Sequence, residues 1–198
     1  MRISGGEWCG RPLLMPKSDL VRPTQDRVRE ALFNLLMYVI KGARFLDLFA
    51  GSGAVGLDAL SRGAKQVTFL EKDRKVYQTL LKNLETFQVD SLYAKNTDAL
   101  AWLGLTEAQQ KHGRTFAPPS MLSQAFDIVF CDPPYLWAQE HGFAPIAQVL
   151  AERNLLVPGG LLVTETDYRT DPVDIPGYTL QKDRLYGKTR LVIYRREV

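Results

Sequence analysis

The 198-residue sequence predicts an α/β fold in which helices cover both faces of a mostly parallel sheet. From about residue 45 onward, short apolar β-rich segments alternate with segments of helical period: RFLDLFAG, QVTFLEKD, SLYAKNTD, FDIVFCDPP and GGLLVTET. This alternation is typical of βαβ units, whose ligands bind beyond the carboxyl ends of the strands. A composition of 45% hydrophobic and 24% charged residues is that of an ordinary globular chain, and the length favours one domain.

The N-terminal part is predicted to be an extension of the main domain. Residues 1–22 are punctuated by Gly and Pro and indicate a small β-hairpin or arm that contributes little core, ahead of a domain at 23–198. The segment RPTQDRVREALFNLLMYVI predicts a helix with Thr24 as N-cap. Its expected apolar stripe is Val28, Leu32, Leu35, Leu36 and Val39. Arg22, Arg27 and Arg29 crowd the first turns, where cations are unfavourable, which suggests an anionic partner.

The remaining elements follow in order along the chain. Apolar spacing predicts one short helix at 54–60 that Gly63 ends, and a second helix around 76–84. Residues 104–124 are polar and Pro-containing, which indicates a surface insertion. The segment YTLQKDRLYGKTRLVIYRRE predicts an antiparallel hairpin that closes the sheet. His112 and His141 are expected to be solvated.

Composition also limits the function classes. No run approaches the roughly 18 to 20 apolar residues of a membrane span, and the N-terminus lacks the apolar core of a signal peptide, so we expect a cytoplasmic protein. Cys9 and Cys131 form no C-x-x-C pair, which argues against a zinc site or a disulfide framework.

Positive charge is concentrated at the two ends of the chain. Residues 1–44 carry eight Lys/Arg against four acids, and residues 181–198 carry six against two, within a net charge of +3. Two basic ends that share a face would suit a polyanion, although solvated termini would give the same pattern. The candidate phosphate contacts are Arg11, Arg22, Arg27, Lys188 and Arg190.

A glycine-rich segment, FLDLFAGSGAVGLDAL, follows the first strand. Gly51, Gly53 and Gly56 have G-x-G-x-x-G spacing, and Glu71 ends the next strand, where an acid can bind both hydroxyls of a ribose. A tight turn that needs glycine for steric reasons alone is the alternative. Asp47 distinguishes two ligand classes, because a carboxylate there would repel a pyrophosphate but suits the ammonium group of S-adenosylmethionine. Asp98 ends the third strand unit and could accept a hydrogen bond from an adenine amine.

The segment FDIVFCDPPYLW ends a buried strand on a carboxylate, two prolines and an aromatic ring. An aromatic amine is a poor nucleophile, and two acceptors aimed at its hydrogens would direct its lone pair at an activated methyl group. Asp132 can supply one acceptor and the carbonyl of Pro133 the other, since Pro133 and Pro134 stiffen the loop. Tyr135 can stack on a flipped-out base. A stiff turn without chemistry is the alternative.

The DPPY segment and the glycine-rich segment together resemble motifs of a known family. VFCDPPY is similar to the (D/N)PP(Y/F) motif of amino-group nucleic-acid methyltransferases, and LDLFAGSGAVGLDALSRGA to their cofactor loop. Including RISGGEWCGR and YGKTRLVIYRRE, residues 2 to 197 resemble the RsmD-type family, which methylates the exocyclic amine of a guanine in small-subunit (16S) ribosomal RNA. The resemblance implies a class I methyltransferase fold, Rossmann-like, with a seven-stranded mostly parallel sheet, an antiparallel last strand and a small N-terminal extension that contacts RNA.

The resemblance also implies residue roles. Cofactor binding of S-adenosylmethionine falls on Asp47, Phe49, Ala50, Gly51, Ser52, Gly53, Glu71, Lys72, Asp98 and Ala99, and the target-amine site falls on Asp132, Pro133, Pro134 and Tyr135. No metal is implied. The expected partner of a monomeric enzyme is ribosomal RNA, free or in a ribosomal-protein-bound small-subunit particle. The 104–124 segment is longer than the family leads us to expect.

Three other functions stay open on sequence grounds. A DNA adenine amino-methyltransferase would use the same chemistry at DPPY. An NAD-dependent oxidoreductase would explain G-x-G-x-x-G, but Asp47 opposes it and no hydride-transfer acid or base stands out. A non-catalytic RNA-binding module would use the basic ends alone.

Overall fold

The computed structural model describes residues 1–16, 26–90, 93–106 and 125–198. The chain forms two compact units, Met1–Thr97 and Asp98–Val198. The helices are α1 (Asp26–Leu36), α2 (Ala54–Ser61), α3 (Arg74–Thr86), α4 (Ala99–Trp102), α5 (Tyr135–His141) and α6 (Ala144–Glu152). The strands are β1 (Arg44–Asp47), β2 (Gln66–Glu71), β3 (Ala94–Asn96), β4 (Phe126–Cys131), β5 (Leu156–Asp167), β6 (Tyr178–Tyr186) and β7 (Thr189–Arg196).

The seven strands form a mixed sheet in the order β3-β2-β1-β4-β5-β7-β6. Strand β2 pairs in parallel with both β1 and β3, and β4 pairs in parallel with β5. Strand β7 is antiparallel to both of its neighbours, β5 and β6. The predicted mostly parallel sheet, its antiparallel last strand and the C-terminal hairpin are therefore confirmed.

In the first unit, α2 packs closely onto the strands because it is rich in small residues. A Cβ atom added at Gly56 would lie 2.2 Å from Cε1 of Phe69 on β2. Only glycine permits this approach, so the third glycine of G-x-G-x-x-G serves helix–strand packing. On α3, the apolar residues that predict this helix are Val76, Leu80, Leu81 and Leu84, of which all but the half-buried Leu81 are buried.

The N-terminal segment forms a hairpin-like arm in the first unit. Ile3 N donates to the carbonyl of Arg11 (2.9 Å), and Gly10 N donates to the carbonyl of Ile3 (2.9 Å). Ile3 and Leu13 are 2% and 6% exposed, so the arm does contribute to the core, contrary to expectation. The boundary at residue 22 between arm and main domain lies outside the described residues and stays a prediction.

Helix α1 departs from its predicted apolar stripe at the C-terminal end. Val28, Leu32 and Leu36 are buried as predicted, whereas Leu35 is half-buried and Val39 is exposed. The helix ends at Leu36, so the helical period does not extend to Val39. Phe33 is buried in addition. The predicted N-cap, Thr24, lies outside the described residues.

Arg29 has a different role from the one its position suggested. Its side chain is fully buried, and its Nε lies 2.7 Å from Oδ2 of the equally buried Asp58 on α2. Asp58 Oδ1 accepts a second hydrogen bond from Ser4 N (2.7 Å), and Arg29 donates to the carbonyl of Arg2. The interpretation of Arg29 as a sign of an anionic partner was therefore wrong, because it pairs with Asp58 and with Asp26 (3.1 Å) of the same chain.

In the second unit, α6 contacts β5 and buries Ile146, Ala147 and Leu150. The hydroxyl of Tyr178 donates to the carbonyl of Ala147 (2.8 Å), and burial raises the pKa of Tyr178 to about 12.

His141 is exposed, as predicted, and stacks on Trp137. His112 and residues 107–124 of the predicted insertion lie outside the described residues. Within the described ranges, no helix has the length and hydrophobicity that crossing a bilayer requires.

Candidate cofactor and target-amine sites

The glycine loop joins the carboxyl end of β1 to the start of α2. Gly51 and Gly53 adopt φ values of 56° and 83°, in the left-handed region that favours glycine. A Cβ atom added at Gly53 would lie 2.5 Å from Cδ1 of Leu80. Ala50 N donates to the carbonyl of Leu70 (2.9 Å), which fastens the loop to β2. The first two glycines thus permit a tight turn, and the missing side chain of Gly53 leaves room for Leu80.

Glu71, the last residue of β2, is hydrogen-bonded to the glycine loop. Its Oε2 accepts from Gly51 N (2.9 Å), and its Oε1 accepts from Asp73 N (2.7 Å). Burial raises the pKa of Glu71, although these backbone hydrogen bonds offset part of the effect. An ionised carboxylate offers about four acceptor positions, so capacity is left for a ligand hydroxyl. The geometry therefore fits the ribose-binding role that the motif predicts.

Two other predicted cofactor residues of the first unit lie at neighbouring strand ends. Asp47 ends β1 and is only 1% exposed. Lys72 follows Glu71 and is exposed, and its carbonyl accepts from Nδ2 of Asn96 on β3 (3.0 Å). Asn96 Nδ2 also donates to the carbonyl of Glu71 (2.9 Å). Asn96 therefore stabilises the backbone at the end of β2.

Asn83 on α3 is a supporting residue that sequence reasoning missed. It is 1% exposed, and its Nδ2 donates to the carbonyls of Ser52 (2.8 Å) and Leu14 (3.0 Å). Its Oδ1 accepts from Leu14 N (2.9 Å). One amide therefore connects the glycine loop to the N-terminal arm. An Asn on the apolar side of a predicted helix was the available signal.

Asp98 and Ala99 belong to the second unit, at the start of α4. Asp98 is the N-cap, and its Oδ1 accepts from Leu100 N (2.9 Å) and Ala101 N (3.3 Å). Ala99 is the first residue of the helix and is buried. The carboxylate of Asp98 therefore caps a helix, which sequence reasoning did not anticipate, and its contact with an adenine amine stays a prediction.

The DPPY segment connects β4 to α5. Asp132 directly follows β4 and is half-buried, whereas Pro133 is buried. Pro134 is the N-cap of α5, with φ −49° and ψ 133°. Tyr135 is the first residue of the helix, and 39% of it is exposed. A short, proline-stiffened loop thus presents a carboxylate, a carbonyl and a partly exposed ring in succession.

The hydroxyl of Tyr135 is held from two sides. It accepts a hydrogen bond from Nε2 of Gln139, one turn further along α5 (2.6 Å), and another from Nη2 of Arg169 (3.1 Å). Arg169 in turn pairs with Asp167 (2.7 Å), and the hydrogen bond and charge of Asp167 raise the pKa of Arg169. Sequence reasoning missed Arg169, because it follows Tyr135 by 34 residues.

The second unit also contains a cavity of about 290 Å³. Its lining includes Gln139, Thr166 and Asp171. Residues 132–135 do not line it, so the cavity is separate from the DPPY loop. We therefore assign it no role in the candidate site.

The predicted phosphate contacts differ in their solvent exposure and in the partners that they already have. Arg27 and Lys188 are exposed, and Arg22 lies outside the described residues. Arg11 lies over the ring of Phe87, 4.3 Å from its centroid. Arg190 is largely covered and pairs with Asp171 (2.6 Å) and Asp183 (2.9 Å). A role of Arg190 in RNA binding stays a prediction. The two ion pairs argue against that role, because they already occupy the guanidinium.

Comparisons with known proteins agree with the motifs. A family profile described as Conserved hypothetical protein 95 matches residues 1–195. Ribosomal RNA small subunit methyltransferase D of Escherichia coli (strain K12) is 36% identical over 100% of this chain and 90% of its own. The protein of the same name from Haemophilus influenzae is 39% identical, over 98% and 92%.

A solved structure supports the same assignment. That of yhhF from Escherichia coli superposes with a TM-score of 0.78 at 35% identity, covering 100% of this chain and 98% of the other. With the strand order above, the fold is that of the class I S-adenosylmethionine-dependent methyltransferases, as predicted. The chain therefore belongs to the family described as Conserved hypothetical protein 95, the RsmD family that its motifs indicated.

Proposed function

We propose that this protein is an S-adenosylmethionine-dependent methyltransferase that modifies the exocyclic amine of a guanine in small-subunit ribosomal RNA. The observation that carries the proposal is the DPPY loop at the end of β4, in a chain whose full-length relatives are named for methylation of this RNA. Nothing in the comparisons favours DNA adenine as the substrate, and the motifs alone suggested that alternative.

The residues of the first unit fit the cofactor. Glu71 would accept the ribose hydroxyls, and the tight backbone at Gly51 and Gly53 would let the ligand approach closely. Asp47, a carboxylate at the end of β1, suits the ammonium group. When bound, S-adenosylmethionine supplies a methyl group activated by its sulfonium. In the second unit, Asp98 and Ala99 are the proposed adenine contacts.

The residues of the DPPY loop would prepare the nucleophile. The carboxylate of Asp132 and the carbonyl of Pro133 would accept hydrogen bonds from the two amine hydrogens. These two hydrogen bonds would reduce delocalisation of the nitrogen lone pair into the base. They would also orient the lone pair for in-line attack on the methyl group. Asp132 also offers an acceptor for the proton that the amine loses. The restricted backbone of Pro133 and Pro134 keeps the two acceptors in place without a reorganisation cost during the reaction.

Tyr135 would compensate for extraction of the base from its stack. An aromatic face recovers about 1–3 kcal/mol of stacking per base. The partial exposure of its ring, 39%, leaves such a face accessible.

We propose that Arg11, Arg22, Arg27, Lys188 and Arg190 contribute phosphate contacts, with Arg27 and Lys188 the best placed by exposure. We further propose that the protein acts as a monomer in the cytoplasm, on free RNA or on a protein-bound particle.

Transfer of labelled methyl from S-adenosylmethionine tests the function. The substrates are unmodified small-subunit ribosomal RNA, free and ribosomal-protein-bound, with duplex DNA as a parallel arm. We expect labelled guanosine methylated on its exocyclic amine, and Asp132→Ala should lose most turnover while keeping cofactor affinity. Transfer only to DNA, a methyl on another atom, or undiminished turnover of Asp132→Ala would contradict the proposal.

A further inference from the structure

A pair of residues beyond the end of β5 reaches the candidate site. Asp167 is the last residue of β5, and its Oδ1 lies 2.7 Å from Nε of Arg169. The backbone N of Arg169 donates to the same oxygen (3.0 Å), and Nη2 lies 3.4 Å from Oδ2. The Asp167 side chain is 11% exposed and that of Arg169 is 63% exposed. A nearly buried carboxylate therefore fixes both the backbone and the guanidinium of an exposed arginine.

The guanidinium connects this carboxylate to Tyr135. Its Nη2 donates to the Tyr135 hydroxyl at 3.1 Å, while Gln139 donates to the same oxygen at 2.6 Å. A phenolic oxygen has two acceptor lone pairs, so both contacts can exist together. The phenolic oxygen lies on the axis of the second side-chain torsion, so two donors on it fix the direction of the ring axis. Because donors prefer the lone pairs that lie near the ring plane, the two contacts also favour one orientation of that plane. Lysine could not reproduce this connection, because its single ammonium lacks the fork of an arginine.

The contact contributes little to folding, because exposed ion pairs have small effects on stability. Its effect falls instead on an aromatic ring that is part of the DPPY loop and is still 39% exposed. A ring that stacks on an extruded base must have its face at a defined angle before the base arrives, since otherwise binding must order it.

We propose that Arg169 is a positioning residue for methyl transfer, and that it acts through the Tyr135 hydroxyl by orienting the ring on which the target base stacks. This inference rests on the proposed function, because it needs a base at Tyr135. Stacking changes affinity by about 5- to 150-fold per base, so partial loss of orientation should lower kcat/KM for RNA about fivefold.

A double-mutant cycle tests the connection. The variants are Arg169→Ala, Tyr135→Phe and the double variant, compared with the wild type in kcat/KM for RNA and in affinity for S-adenosylmethionine. Arg169→Ala should lose about fivefold, and Tyr135→Phe at least as much. The double variant should equal Tyr135→Phe, because without the hydroxyl Arg169 has nothing left to orient. Cofactor affinity should not change in any variant.

Two further variants separate this role from a simple charge effect. Arg169→Lys keeps the charge but loses the fork, so we expect a loss close to that of Arg169→Ala. Arg195→Ala removes an exposed positive charge from β7, outside the Asp167–Arg169–Tyr135 connection, and should match the wild type. Melting temperatures of all variants report whether the fold is intact.

Three results would overturn the inference. Additive losses in the double variant, or full activity of Arg169→Lys, would mean that Arg169 acts through its own charge on the RNA. Wild-type activity of Arg169→Ala would mean that it has no role. In each case the proposed function stands if the wild type methylates the RNA, whereas absence of transfer by the wild type would refute the function and this inference together.

Discussion

Replacing Asp58 by Asn should destabilise the protein severely, because the fully buried Arg29 charge then loses its buried anion and keeps only the exposed Asp26 (3.1 Å) as an acidic partner. Both side chains are 0% exposed, and Nε to Oδ2 is 2.7 Å. Asn keeps an acceptor for Ser4 N but presents an amide that cannot neutralise the guanidinium. Breaking one partner of a buried ion pair costs about 3–5 kcal/mol. Since a domain is stable by about 5–15 kcal/mol, this single change should remove a large fraction of its stability.

Urea denaturation, followed by circular dichroism and tryptophan fluorescence, measures this loss as a lower unfolding midpoint. Arg27→Met is the matched control, because Arg27 is on the same helix but exposed, and it should change the free energy of unfolding by less than about 0.5 kcal/mol. The double variant Arg29→Met with Asp58→Leu should recover part of the loss, since no unpaired charge is then buried. A loss below about 1 kcal/mol for Asp58→Asn would show that water or rearrangement solvates Arg29, and the reasoning would be wrong.

Three further predictions concern the candidate sites. Asn83→Ala leaves three backbone groups of Leu14 and Ser52 without their side-chain partner, so we expect the free energy of unfolding to fall by about 2–4 kcal/mol. Cofactor affinity, measured by calorimetry, should also fall. An unchanged affinity would argue against the idea that Asn83 supports the glycine loop. The raised pKa of Glu71 means that its carboxylate is neutralised at a higher pH than the ordinary 4.5, so cofactor affinity should begin to fall above that pH as acid is added. Titrations between pH 7.5 and 5 should show this fall in the wild type and not in Glu71→Gln; identical profiles would contradict it. Arg27→Ala and Lys188→Ala should each reduce the slope of log affinity for RNA against log salt by about 0.7–1, and unchanged slopes would exclude these phosphate contacts.

Local pattern was sufficient to predict the strands, α1 to α3 and the C-terminal hairpin, whereas α4, α5 and α6 were not predicted individually. The alternation of apolar strands and helical segments after residue 45 predicted the α/β fold, because burial on both faces produces continuous apolar runs in parallel strands. Glu71 and Asp132 were also placed correctly at strand ends, since the end of an apolar run can be read from the chain. The φ values of Gly51 and Gly53 agree with their place in a tight turn.

The sequence by itself therefore determined the fold class, the family and the candidate residues of the glycine loop and the DPPY loop. Only the tertiary structure showed which distant groups pair: Arg29 with Asp58, Asn83 with Ser52, and Arg169 with Tyr135. It also showed that Arg190, expected to face RNA, is bound to Asp171 and Asp183. The physical reason is that hydrophobic period depends on near neighbours in the chain, whereas an ion pair or hydrogen bond depends on packing that brings residues 29 to 34 positions apart within 3 Å or so.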